Sequence, residues 1–215
     1  MRYRVAIRFV IQGDLRFISH HDTMRLFERA LARARLPVRF SMGFNPRPGI
    51  SLPLPRPVGV ASDDELLVVE LCEPTEPSEV VARLARQAPE GMKLLQARYL
   101  DTGAAVQPEQ VTYEVGFAPE YESAVAAAVG KLLACDQWCI GRRGNQDRAD
   151  KIVDLRAYLL AASVDGGVLR WTARVTTGGS VRPAEMLSAC GLDPASWRHR
   201  VRRTEVRWSA FSTPD

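Results

Sequence analysis

The chain has 215 residues, 46% of them hydrophobic and 25% charged, with a formal net charge of +4 and a pI near 9.1. That length and apolar content support one large domain or two small ones and exclude a chain too polar to fold. No apolar run reaches membrane-spanning length, and MRYRVAIRFV alternates charge with hydrophobe instead of building a signal-peptide block, so the expected location is cytoplasmic with no membrane association.

Arginine far outnumbers lysine, which occurs only at Lys93, Lys131 and Lys151. Such a balance suits an anionic partner, because the guanidinium fork matches phosphate, although a GC-rich coding sequence gives the same bias. Cys72, Cys135, Cys139 and Cys190 are scattered without a CxxC or HxxxH spacing, which points to small buried hydrophobes in a reducing compartment, with no metal and no cofactor.

In chain order, Tyr3, Val5, Ile7 and Phe9 alternate with Arg2, Arg4, Ala6 and Arg8, the period-two signature of a strand with one buried face. Ser19 is an N-cap candidate with Asp22 three residues on, and the following helix carries Met24, Phe27, Leu31 and Ala34 as its apolar stripe until Pro37 ends it. VRFS reads as a short strand. The stretch Ser41 to Val60, SMGFNPRPGISLPLPRPVGV, carries five prolines and three glycines among large apolar residues, so it is expected as an ordered, packed loop and not a linker. ELLVVEL is a strand, Pro77 to Ala88 a helix, and MKLLQARYL a fourth strand.

That order, βαββαβ, is the ferredoxin-like arrangement, with both helices on one face of an antiparallel sheet. Residues 1–101 form this first domain and residues 102–110 the linker. Residues 111–215 repeat the pattern with an added strand: VTYEVGF, a helix from Glu120 to Leu133, QWCIGRR, LRAYLLAAS and VLRWTARVT joined at Asp165-Gly166-Gly167, a helix from Pro183 to Ala189, and VRRTEVRW. The fold class is therefore α+β, as tandem ferredoxin-like units with antiparallel sheets.

The segment LRFISHHDTMRLFERALARARLPVRFSMGFNPRPGISLPLPRPVGVASDDELL resembles the radical-SAM-associated bacterial proteins of unknown function, most closely at SHHD, ERAL and GFNPRP. The resemblance implies an accessory or substrate-handling module that acts with a radical SAM enzyme, and RNA as its substrate class. Where that family commonly has histidine and lysine, in GFNPHPK, this chain has Arg47 and Gly49, which removes an imidazole or an amine from those positions.

His20 and His21 stand where strand gives way to helix, beside Arg16 and Arg25, near the positive end of the helix dipole. Asn45 and Arg47 sit on a loop stiffened by Pro46 and Pro48. The sequence reading joins all six, Arg16, His20, His21, Arg25, Asn45 and Arg47, into one basic pocket for RNA or another anion; in the alternative, the loop is scaffold. Arginines on the outward faces of the first strand and of VLRWTARVT extend a basic surface, while in WRHRVRRTEVR the alternation breaks at Arg202 and Arg203, so those charges cannot share a face.

Two functions follow. The first is a non-enzymatic RNA-binding or substrate-presenting partner of a radical SAM enzyme. The second is a metal-independent RNA endonuclease in which His20 or His21 is the general acid–base.

Overall fold

Alternation along strand β1 (Tyr3–Ile11) buries Val5, Ile7, Phe9 and Ile11 on one face, as a period of two dictates. The computed structural model describes residues 2–101, 103, 105–142 and 150–209. The chain is α+β, and it divides into two compact units, Met1–Pro108 with Val206–Asp215 and Glu109–Glu205.

In the first unit β1 leads through a 3-10 turn (Gly13–Phe17) into helix α1 (His20–Arg33). Then come β2 (Ile50–Ser51), β3 (Ala61–Leu71), helix α2 (Pro77–Ala85) and β4 (Met92–Leu100). β3 pairs antiparallel with β1, Val5 opposite Val69 and Ile7 opposite Leu67, and with β2, Ile50 opposite Val69. β4 pairs antiparallel with the other edge of β1. The strands that α1 connects thus flank a third, the split βαβ order. Phe27, Ala30 and Leu31 of α1 and Val80 and Leu84 of α2 pack into a single core with Val5, Ile7, Phe9, Leu67, Val69 and Leu71, so both helices cover one face. The buried stripe of α1 includes Thr23, and Met24 is only half-buried.

The second strand is not where periodicity alone puts it. Val38 and Phe40 of VRFS make isolated bridges, to Leu71 and Pro48, and the ladder on β3 is confined to Ile50–Ser51. Proline lacks an N–H, so pairing can run only in the gap between Pro48 and Pro53.

The second unit contains β5 (Pro108–Gly116) from Glu109, α3 (Glu122–Ala134), β6 (Cys139–Arg142), β7 (Lys151–Asp154), β8 (Leu159–Asp165), β9 (Val168–Arg174), α4 (Pro183–Ala189), α5 (Pro194–Trp197) and β10 (Val201–Trp208) as far as Glu205. Its strands run in the order β10-β5-β9-β8, and β6 and β7 pair antiparallel in a separate two-stranded sheet. Tyr113 lies opposite Trp171 across β5 and β9, and their rings stack at 5.3 Å. The β8–β9 turn has both central glycines at positive φ, Gly166 at 56° and Gly167 at 75°, the backbone a two-residue hairpin needs.

The domain limits move. The break after Pro108 falls inside the expected linker 102–110, but β5 begins at Pro108 because its ladder extends upstream, Val175 N–H donating to the Glu109 carbonyl at 2.8 Å. The chain from Val206 goes with the first unit: Val206 N–H donates to Asp64 Oδ2 at 2.8 Å and Gln107 N–H to Ser209 Oγ at 3.1 Å. QWCIGRR narrows to Cys139–Arg142, and Arg143 lies outside the described residues. LRAYLLAAS becomes a strand only from Leu159, because Leu155 to Tyr158 close a turn in which Tyr158 N–H donates to the Leu155 carbonyl at 3.1 Å.

Candidate functional site

The head of α1 is built by its cap. Ser19 Oγ accepts from Asp22 N–H at 3.1 Å and donates to the Asp22 carboxylate at 2.6 Å, which fixes the first turn and with it His20, His21 and Arg25. The hydroxyl bond holds the Asp22 carboxyl below its ordinary range. Asp22 therefore supplies a negative charge that the positive end of the helix favours, with Arg25 3.6 Å away, and the Asp22 amide is already satisfied by Ser19 Oγ.

His20 and His21 stand edge to face, ring centroids 6.0 Å apart, and they differ in setting. His21 is exposed. His20 turns toward a cavity lined by Phe9, Thr23, Leu52, Leu54, Arg56 and Glu65 whose volume, about 10 Å³, has room for a single water. Burial lowers the His20 pKa most and His21 lowers it further, against the raising effect of Glu65, so this imidazole is neutral at pH 7. On the other side of the turn Arg16 lays its guanidinium 4.9 Å over the ring of Phe17, which is 50% exposed.

A residue that sequence reasoning passed over organises this region. Arg56, 7% exposed, donates through Nη1 to the carbonyls of Arg16 (2.7 Å) and Val60 (2.7 Å), and through Nη2 to those of Leu15 (3.1 Å) and Ile18 (3.2 Å). Its only signal was a charge set between prolines in an otherwise apolar PLPRPV. Phe17 was missed as well; an aromatic flanked by arginine just before a helix cap was the available sign.

The single basic pocket does not form. Arg16, His20, His21 and Arg25 gather at the head of α1, but Asn45 and Arg47 lie on an exposed tip anchored at the far end of β3. There Glu70 N–H donates to the Gly49 carbonyl, and Arg39 N–H to the Glu70 carbonyl. His20 lies by Glu65, and Glu65 to Glu70 spans about 17 Å of extended strand. From the tip the loop runs along β3, so the part that meets His20 is Leu52 to Arg56. The loop is packed in this half only, since Met42 and Phe44 at the tip are 95% and 107% exposed.

The outward arginines of the sheets are largely engaged. Arg8 grips the buried Asp64 through Nε (3.0 Å) and Nη2 (2.7 Å), Arg2 pairs with Glu70, and Arg170 with Glu114. Arg203 turns inward, 1% exposed, with its guanidinium over the Tyr113 ring and Nη2 donating to the Tyr113 hydroxyl at 3.1 Å, while Arg202 is exposed. This explains the broken alternation in the last strand. On the inner face of β9 Leu169, Trp171 and Ala173 are buried, and Val175 beyond it is half-buried.

The cysteines divide differently from expectation. Cys190 is buried and burial pushes its thiol pKa up to about 12, but Cys72, Cys135 and Cys139 are exposed.

Among the described residues no group of three or more His, Cys, Asp or Glu is placed to hold a metal ion, and no helix is long and apolar enough to cross a membrane. Comparison with known proteins gives a match over residues 4–183 to a family described as an uncharacterized protein conserved in bacteria, DUF2344. No curated protein matches. A crystal structure of an unknown protein from Galdieria sulphuraria aligns over 97% of this chain and 98% of that one, at 10% identity and a TM-score of 0.26.

Proposed function

The chain belongs to this uncharacterized bacterial family, and from the side chains it displays we propose that it is a non-catalytic accessory module that binds RNA, or presents it as substrate, in company with a radical SAM enzyme. The observation that carries the reading is the exposed Phe17 ring with the Arg16 guanidinium 4.9 Å from it, in the turn that leads into α1, whose first two turns carry the exposed His21 and Arg25. An exposed aromatic offers a base its face and adjacent guanidiniums offer charge to its phosphates, the combination that binds single strands without base-specific hydrogen bonds.

The setting of His20 favours an adaptor over an endonuclease. A cavity with room for one water admits no nucleotide beside His20. The radical SAM partner rests on the resemblance at SHHD, ERAL and GFNPRP. Reconstitution tests the reading: the purified protein, mixed with RNA and a radical SAM enzyme from the same genome, is expected to be retained on immobilised RNA and on the immobilised enzyme. Retention on neither overturns it.

A further inference from the structure

The tip of the proline-rich loop has the composition of an interface core. Residues 40–48 read FSMGFNPRP, with two phenylalanines, a methionine and an arginine, and no lysine, aspartate or glutamate. Aromatics, methionine and arginine are the residues enriched at the centre of protein–protein contacts, and lysine and the acids are those depleted there. Here they are displayed: Phe40, Met42 and Phe44 are 53%, 95% and 107% exposed. Apolar side chains gathered so fully on one protrusion mark an interaction surface.

The protrusion is also held in shape. Ser41 N–H donates to the Arg47 carbonyl at 2.8 Å, and Arg47 N–H donates to Ser41 Oγ at 2.9 Å. Phe40 bridges to Pro48, Gly49 N–H donates to the Arg39 carbonyl at 2.7 Å, and Pro46 and Pro48 restrict the chain between. A loop ordered before binding loses less entropy on association.

We infer that residues 40–48 form a preorganised knob that docks into another protein, one presenting an apolar pocket with carboxylates at its rim. The pocket takes Met42 and Phe44. The rim carboxylate answers Arg47, whose guanidinium makes no ion pair among the described residues. Arg39 at the base of the knob is already paired with Glu70 at 3.5 Å, so the tip carries one open positive charge. A nucleic acid is a poorer occupant, since a phosphate track calls for several cations and the tip carries one open positive charge. A bilayer is poorer too, because Phe40, Met42 and Phe44 together are far short of the buried area that holds a protein on a membrane.

The inference is independent of RNA binding at the head of α1, and its test separates the two. p-Benzoylphenylalanine placed at position 42 of the full-length protein is photo-cross-linked in the bacterium that makes it. The attached protein is then identified, purified, and titrated by calorimetry against wild type, Phe44→Ala and Arg47→Glu. Phe44→Ala is expected to weaken binding about thirtyfold or more and Arg47→Glu about tenfold, with the melting temperature and any RNA affinity unchanged. Cross-links only to nucleic acid, lipid or a second copy of this chain, no cross-link at all, or a purified partner whose affinity survives Phe44→Ala would each overturn it.

Discussion

Arg56 Nη1 lies 2.7 Å from the carbonyl oxygen of Arg16, forty residues upstream, and this contact ties the returning half of the proline-rich loop to the turn that displays Phe17. One guanidinium also holds the carbonyls of Leu15, Ile18 and Val60. Arg56→Met leaves those buried acceptors without their donor and is expected to lower stability by about 3 kcal/mol in urea denaturation. Arg56→Lys keeps the charge but loses the fork, and should fall between the variant and wild type.

Gly49 faces the central strand so closely that a Cβ there would stand 2.9 Å from Glu70 Cβ and 3.2 Å from the Arg39 carbonyl. Gly49→Lys, which restores the residue common in the resembled family, is therefore expected to cost about 2 kcal/mol through overpacking, read as a lower urea midpoint at unchanged slope. A Gly49→Lys variant as stable as wild type would mean that the base of the knob yields easily.

The folded His20 pKa is lowered, chiefly by burial. Below the ordinary imidazole value of about 6.5 the unfolded chain binds a proton that the folded chain does not, so the stability due to neutral His20 is full above that pH. It is lost as pH falls from there toward the folded value. The imidazole resonances of His20 should titrate below the ordinary imidazole value, and His20→Gln should flatten the stability profile in that window. Titration of His20 at or above the ordinary value would contradict the cavity described for it.

With His20 turned into a one-water cavity, the protein is expected to leave structured RNA uncleaved between pH 6 and 8. Products with 2′,3′-cyclic phosphate ends that disappear in the His20→Ala, His21→Ala double variant would restore the endonuclease reading.

Elements written in local periodicity were legible. Tyr3–Ile11 alternates, Ser19 and Asp22 spell a cap, and Gly166-Gly167 spells a hairpin turn. Illegible features depend on partners distant in sequence. Arg56 is buried because the carbonyls of Leu15, Arg16, Ile18, Pro57 and Val60 converge on it, and Arg8 is withdrawn from the outer face because Asp64 is buried opposite. Asn45 and Arg47 are separated from His20 because β3 captures Ile50–Ser51 and thereby sets the loop's direction, and no spacing within the loop encodes that choice. At the head of α1 the cap and the residue types could be read, but not that His20 would turn into a cavity lined by Leu52, Leu54 and Arg56 from the distant loop.

The central claim is that Arg16, Phe17 and Arg25 bind RNA, and fluorescence anisotropy of a labelled single-stranded 20-mer, titrated with the protein across a salt series, tests it most directly. The account predicts a log-affinity that falls linearly with log salt, a slope made shallower by about 1.4 in Arg16→Ala/Arg25→Ala, and tenfold or greater weakening in Phe17→Ala with its slope unchanged. Affinity that none of these substitutions alters, or no binding at 50 mM salt, would contradict it.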